Sequence, residues 1–377
     1  MVRACIKQHP VIGMVSDFIV IGAGIVGLST ALRLLKEGAS VTLLERHEAG
    51  REASWAGGGI LSPLCPWNYP DTVNRLVTFS MSLYPEWIAA LSTATEIDPE
   101  YHVCGLLVLP PYDLDKAVSW CTAHAAPLIY QPFPLSPSHD HAQQQTDQAL
   151  LLPDIAQVRN PCLSQALYKR VKQLGGNIIE HCEVQKLDTT RQEIRSVRTP
   201  HKTFSANRYI LSAGAWSKQI LGEHALNIEI KPIRGQILLY KFPERPLHSV
   251  VLQQGLYLIP RCDGHLLVGS TIEDIGFDKG ITPEAKDKLS GWAKQLLPEL
   301  RGMSPLKHWS GLRPGTPDNI PVIGAHPFLK NLYINSGHFR YGVTMAPGSA
   351  EILTNEIMKR AQPFDTTPYQ QGWNLFG

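Results

Sequence analysis

The 377-residue chain is 44% hydrophobic and carries 35 Lys and Arg against 33 Asp and Glu, a net charge of +2. That length and apolar content suffice for one large domain or two interleaved ones, and the dispersed charge argues against a nucleic-acid or anionic-membrane surface. Seven cysteines without a Cys-x-x-Cys pair suggest neither a disulfide framework nor a metal site, and point to reduced thiols in a cytoplasmic compartment.

Residues 1–16 have no apolar core adequate for a signal peptide and read as a loosely ordered extension. Phe18 to Ile21 then form a short buried strand that runs into Gly22, Gly24 and Gly27, a G-x-G-x-x-G. Leu28, Ala31, Leu32 and Leu35 recur at helical spacing, and a second apolar run, 41–44, ends in Glu45. This is a dinucleotide-binding βαβ unit: Gly22 makes the tight turn, Gly24 admits a pyrophosphate to the backbone, and Gly27 lets helix and strand pack closely. Ala23, Ile25 and Val26 complete the loop, the helix N-terminus faces the phosphates, and Glu45 is placed to accept both ribose hydroxyls. The motif does not choose between NAD and FAD.

Further along, 50–63 is small and glycine-rich, and 71–93 has helical spacing. A strand is expected at 105–110 and a helix near 113–125. Polar, proline-interrupted 131–149 reads as a surface excursion whose His139 and His141 are solvated loop residues. A helix stopped at Gly175–Gly176 precedes a strand through Val184, and 209–216 is a strand ending in Ala213, Gly214 and Ala215. From 228 to 269 strands alternate with turns as in an antiparallel sheet, followed by a helix near 282–297 and a final strand, glycine turn and long helix. The longest uncharged stretches, such as 53–70, are broken by Gly and Pro and cannot span a bilayer.

Three distant pieces, 19–27, 209–216 and 332–342, share one design, an apolar strand delivered into a small-residue turn. With "IVIGAGIVGLSTA", "ASWAGGGIL", "SAGAWS", "GLRPGTPDNIPVIG" and "GHFRYGVTMAP", the chain resembles the D-amino-acid oxidase family of flavoproteins, most closely the glycine oxidases of the thiamine pathway. The resemblance runs from about residue 17 to residue 360. It implies an α/β fold: a discontinuous Rossmann-like FAD-binding domain (17–75, 150–220 and 305–362), an antiparallel-sheet substrate domain (76–149 and 221–304), and a tail at 363–377.

The resemblance implies FAD, with Glu45 on the ribose, Arg46 and Ser54 along the nucleotide, and Gly57, Gly58, Gly59 and Ile60 beside the flavin. Val184 would meet the adenine through its backbone, Ala213 and Gly214 would line the ribityl chain, and Trp216, Arg340, Tyr341, Gly342, Val343 and Thr344 would also bind the cofactor. A helix starting after Gly342 would aim its dipole at the pyrimidine edge, where reduction places negative charge. In related sarcosine oxidases a cysteine bonded to the ring precedes a "TPD"-like segment. Gly311 occupies that place here, so FAD is expected to be non-covalent.

Amino-acid oxidation asks the protein for positioning and electrostatics more than for a nucleophile. Arg313 in "GLRPG" is the expected carboxylate clamp, Tyr257 the inward hydrogen-bonding cover, and Arg340 either a brace for the flavin edge or an aid to the substrate. Gly255 leaves room beyond the smallest substrates, Ile60 sets an apolar group near the ring, and His338 is read as structural. The leading expectation is a cytoplasmic oxidase of glycine, N-methylglycine and other small amino acids. It would pass electrons to O2 and make H2O2, the imine being hydrolysed or used for thiazole synthesis. A D-amino-acid dehydrogenase reducing quinone is the alternative, and an enzyme of RNA nucleosides a weaker one. No metal, nucleic-acid partner or transmembrane segment is expected, and subunit number stays open, a homo-oligomer included.

Overall fold

In the computed structural model of the chain, which describes residues 16–132 and 148–373, the apolar segments bracketing the glycine motif assemble into a six-stranded sheet. Its order is Val322–Ala325, Leu332–Ser336, Ala206–Leu211, Ser16–Ile21, Val41–Leu44 and Asn177–Ile179. The last five strands are parallel, and Val322–Ala325 is antiparallel to its neighbour. The pairing Ile179, Leu44, Ile21, Leu211, Ile334 runs straight across the sheet. Gly22, Glu45, Ser212 and Asn335 therefore leave the carboxyl edge in one row, where open α/β sheets bind ligands.

The chain leaves the strand Asn177–Ile179 before the expected extension through Val184. His181 takes a left-handed φ of 52°, and Cys182 N–H donates to the Glu45 carbonyl at 2.7 Å. This wraps 180–185 around the end of the neighbouring strand. Lys186–Thr189 then begins a separate three-stranded antiparallel sheet.

A second sheet has eight strands, in the order Lys307–Gly315, Lys231–Lys241, His265–Gly269, Leu256–Pro260, Val250–Gln253, Leu106–Val108, Gln148–Leu152 and Ile129–Pro132. It is mixed rather than wholly antiparallel. Leu106–Val108 reaches Val250–Gln253 from far away in sequence and pairs with it in parallel, which no hairpin could achieve. The division of the chain also departs from the expected boundaries. Lys307–Gly315 pairs with Lys231–Lys241 along nine residues of this sheet, and Gln148–Leu152 joins it too. The helix Asp71–Thr95 instead packs with the helices on the parallel sheet, Val73 and Leu76 sharing a core with Leu28, Ile352 and Leu353. The expected C-terminal tail is docked as well: Tyr369 is buried and its hydroxyl donates to Thr72 O at 2.7 Å. Residues 1–15, His139 and His141 lie outside the described residues.

The helix Gly342–Ile357 contains Pro347, whose missing N–H frees the carbonyl one turn back. That carbonyl, Val343 O, accepts the hydroxyl of buried Tyr84 at 2.6 Å. Ser80 Oγ inserts into the next turn, donating to Thr344 O at 2.6 Å and accepting from Gly348 N–H at 3.0 Å. A Cβ on Gly348 would lie 2.7 Å from that of Ser80, so the two helices cross in close contact. Two hydroxyls thus repair the break proline makes just after the helix start. Tyr84→Phe leaves the part-buried Val343 O unpaired and is expected to lower unfolding free energy by about 1–3 kcal/mol. Urea titration checks this, and an unchanged midpoint would deny the repair.

Candidate active site

The row Gly22, Glu45, Ser212 and Asn335 opens onto a cavity of about 760 Å3. Gly22 adopts φ +101°, and a Cβ there would lie 2.5 Å from Ser212 O. A Cβ on Gly27 would lie 2.0 Å from Gly22 O, so only glycine lets the helix Ile25–Lys36 begin this close to the strand. Glu45 accepts Ala23 N–H at 2.8 Å and His47 N–H at 3.0 Å, which fixes its carboxylate at the cavity wall. Ser54 Oγ accepts Ile25 N–H at 2.9 Å, supplying the cap the helix lacks locally. Arg46 pairs with Glu52 at 3.1 Å and stacks over Trp216, its Cζ 3.9 Å from the ring centroid.

The segment 57–60 forms another wall and is held from three sides. Gly59 has φ +78°, and a Cβ there would lie 2.1 Å from Val158 O. Asn160 Nδ2 donates to Ser54 O at 2.9 Å, and Thr344 Oγ1 donates to Ile60 O at 3.2 Å. Buried Arg261 donates to Gly58 O at 2.8 Å, Val158 O at 2.9 Å and Gln157 Oε1 at 2.7 Å. Burial lowers its pKa to about 10, so it stays a cation at neutral pH.

At the far end Arg313 emerges from Lys307–Gly315, paired with Ile233 across the sheet. Its guanidinium leans over Gly235, where an added Cβ would fall 2.0–2.2 Å from guanidinium atoms. Nη1 donates to Thr271 O at 3.1 Å and Nη2 to Ser270 Oγ at 2.6 Å. Burial lowers its pKa, and Tyr257 opposes that shift by favouring the cation. Tyr257 is itself buried and lies over Gly269, where a Cβ would approach its Cε2 to 2.8 Å. Burial drives His338 down to a pKa of about 3. It is neutral and a feeble proton acceptor.

Six buried side-chain atoms in this wall have no hydrogen-bond partner: Asn160 Oδ1, Ser212 Oγ, Asn335 Oδ1, His338 Nε2, Arg340 Nε and Tyr341 Oη. Buried polar groups are nearly always paired, so their gathering around one cavity marks the place of a polar ligand. A long nucleotide fits: a ribose carboxylate at Glu45, two helix N-termini at Ile25 and Gly342, and a glycine wall at 57–60. Among the described residues no cluster of His, Cys, Asp or Glu could hold a metal, and no helix is long and apolar enough to cross a membrane.

This arrangement is that of a dinucleotide-binding site at the carboxyl edge of a parallel sheet. The DAO model of FAD dependent oxidoreductases matches residues 17–356, and the chain belongs to that family. It is 40% identical over 362 residues to glycine oxidase of Pseudomonas aeruginosa, covering 95% of this chain and 99% of that protein. It is 38% identical to glycine oxidase of Pseudomonas putida over 366 residues, 94% and 98% of the two chains. The crystal structure of glycine oxidase from Geobacillus kaustophilus superposes with a TM-score of 0.86 at 23% identity, covering 94% of this chain and 97% of that one. The protein is an FAD-dependent amino-acid oxidoreductase.

Most residues singled out in the sequence do line the cavity, from Gly22, Glu45 and Gly57 to Val184, Trp216, Tyr257 and Arg313. Ala23, Gly27 and Thr344 do not. Ala23 is buried behind its N–H bond to Glu45, Gly27 is spent on contact with Gly22, and Thr344 turns to Ile60. Sequence reasoning missed Arg261, Asn160, Ser270, Thr271 and Gly235. "IPRCDG" looks like an ordinary turn, and nothing local shows that Gly235 lies under an arginine 78 positions away. Its only trace is a glycine inside a strand, a mark of close approach. Gly235→Ala is expected to displace Arg313 and cut kcat/KM for a carboxylate substrate by about tenfold or more, with flavin content retained. Steady-state kinetics beside the visible flavin spectrum test this. Parental kcat/KM would show that Arg313 does not need this seat.

Proposed function

We propose that the protein oxidises glycine, N-methylglycine and other small amino acids with O2. The net reaction for glycine is glycine + O2 + H2O giving glyoxylate, ammonia and H2O2. The observation that carries this reading is Arg313, a guanidinium seated on neutral partners and turned to the cavity. Two of its five N–H donors are held by Thr271 O and Ser270 Oγ, which leaves donors for a carboxylate. The Tyr257 hydroxyl can add a further bond and its ring covers the substrate. Held at that end, the amino acid presents its Cα–H and neutral amine toward the 57–60 wall. Bound FAD supplies the hydride acceptor. Neutral His338 takes no proton, because the amine enters uncharged and its lone pair supports the imine. The imine is hydrolysed, or handed on to thiazole synthesis.

Arg313→Ala is expected to lower kcat/KM for glycine by about 30-fold to several thousand-fold while flavin content stays near parental. Arg313→Lys restores only part, since a point charge cannot reproduce the planar fork. Peroxide release across glycine, N-methylglycine and D- and L-amino acids is the assay. Parental turnover by Arg313→Ala removes the clamp assignment, and turnover on a quinone analogue but not in air transfers the protein to the dehydrogenases.

The flavin is expected to be free rather than bonded. Gly311 stands in the strand where a Cβ would lie 2.5 Å from Ala56 Cβ, so the site is built around the absence of a side chain. Acid precipitation should carry all yellow colour into the supernatant. Colour retained in the pellet refutes this.

A further inference from the structure

At its Arg313 end the main cavity adjoins a second one of about 250 Å3, the two sharing Leu64 and Arg340 in their walls. The other end, where Glu45, Arg46 and Val184 lie, is reached by a loop of the second sheet, 271–282, which joins the strand His265–Gly269 to the helix Pro283–Leu296. The root of this loop is fixed by buried Arg234. Arg234 and Glu273 exchange backbone hydrogen bonds at 2.9 and 3.0 Å, and Arg234 Nε donates to Glu273 Oε2 at 2.8 Å. Arg234 Nη1 donates to Asp278 Oδ2 at 2.7 Å and to Gly280 O at 2.8 Å. Gly276, at φ +69°, turns the chain, and the residues on either side of Asp278 cross to the opposite wall. Phe277 lies 5.5 Å from the Trp216 ring, and Lys279 Nζ lies 3.2 Å from Glu52 Oε1.

These two fastenings are weak beside the root. Residues 274–281 are exposed, Phe277 by 44% although it belongs to the cavity wall. An ion pair as open as that of Lys279 contributes little and is screened by salt. The charges at this mouth are also unbalanced. Glu52 Oε1 meets Lys279 on one side and Arg46 Nη2 at 3.1 Å on the other, so one carboxylate serves two cations. Arg46 in turn stacks over Trp216, which ties both fastening points to one side chain. A ligand carrying phosphates offsets the surplus positive charge, and its bulk covers the open face of Phe277.

We propose that the loop 271–282 is a clasp over the nucleotide end of the cavity, in which Phe277 and Lys279 retain the bound FAD and their detachment limits its exchange. The proposal rests on the reading that Glu45 and Arg46 mark where the nucleotide lies. The loop moves with the second sheet, because its root is buried there, and parts from the nucleotide wall at Trp216 and Glu52.

FAD release tests this. It is followed on diluted holoprotein with phosphodiesterase present, which cleaves freed FAD to the more fluorescent FMN. Phe277→Ala is expected to release FAD about threefold faster or more, and Phe277→Tyr, which keeps the ring, at the parental rate. Lys279→Met should release it about two- to fivefold faster. Raising NaCl from about 50 to 500 mM should quicken release from the parent, and that response should shrink in Lys279→Met. Urea midpoints of the apoproteins should match the parent, since the altered side chains are exposed. Release from both Phe277→Ala and Lys279→Met at the parental rate overturns the proposal, as does an undiminished salt response in Lys279→Met. Faster release accompanied by a lower apoprotein midpoint also overturns it, since that makes the loop a support of the fold. Glu45→Ala, run alongside, separates the two readings. If it releases FAD faster while the loop variants do not, only the clasp fails; if it holds FAD as the parent does, the placement of the nucleotide fails.

Discussion

The contact between Gly27 and the carbonyl of Gly22, too close for any Cβ, sets how near the first helix lies to the central strand. Everything at the nucleotide end depends on it. The helix N-terminus reaches the edge of the sheet, Ser54 can cap it from another segment, and Glu45 can bind Ala23 N–H while staying at the cavity wall. Because the parallel strands are in register, the positions after Ile21, Leu44, Leu211 and Ile334 line up. Four segments scattered over more than three hundred residues thus contribute to one row of ligand-facing groups.

Two arginines, Arg313 in the second sheet and Arg261 just past the end of its strand Leu256–Pro260, show how partners decide what a guanidinium does. Arg261 is buried with backbone carbonyls and a glutamine amide, and fastens the 57–60 wall to that sheet. Its donors serve the protein's own backbone, so its work is architectural. Arg313 is braced by one carbonyl and one hydroxyl, lies over a glycine, and retains donors for the cavity. Both charges sit without a carboxylate partner, which would quench the field a substrate anion needs. The first gives the site rigidity, and the second leaves it able to bind.

The helix Gly342–Ile357 shows the same division of labour. Its dipole is of use at the cavity only if its first turns hold, yet Pro347 breaks the hydrogen-bond ladder there. Tyr84 and Ser80, from a helix that precedes it by more than two hundred residues, supply the missing bonds. This is also why Asp71–Thr95 belongs with the parallel sheet, although nothing in its own amphipathic spacing says which core it joins.

The nucleotide fold was legible in the sequence because its constraints are local. A strand, a glycine turn and a helix lie within thirty residues, and each glycine answers to sterics within that unit. The family followed from segments long enough to be specific, and Arg313, Tyr257 and Arg340 came with them. Pairing across the second sheet was not legible. The parallel union of Leu106–Val108 with Val250–Gln253 depends on which strands meet after the chain has traversed other elements. The early end of the strand before Val184 depends on a neighbour's carbonyl. So the sequence by itself determined the cofactor motif, the family and the identity of the charged groups, since these are read from residue type and short spacing. Only the tertiary structure decided that Gly235 seats Arg313, that Arg261 holds the 57–60 wall, and that Arg340 faces two cavities. Those facts are close contacts between residues remote in the chain, and such contacts exist only once the sheets have closed on each other.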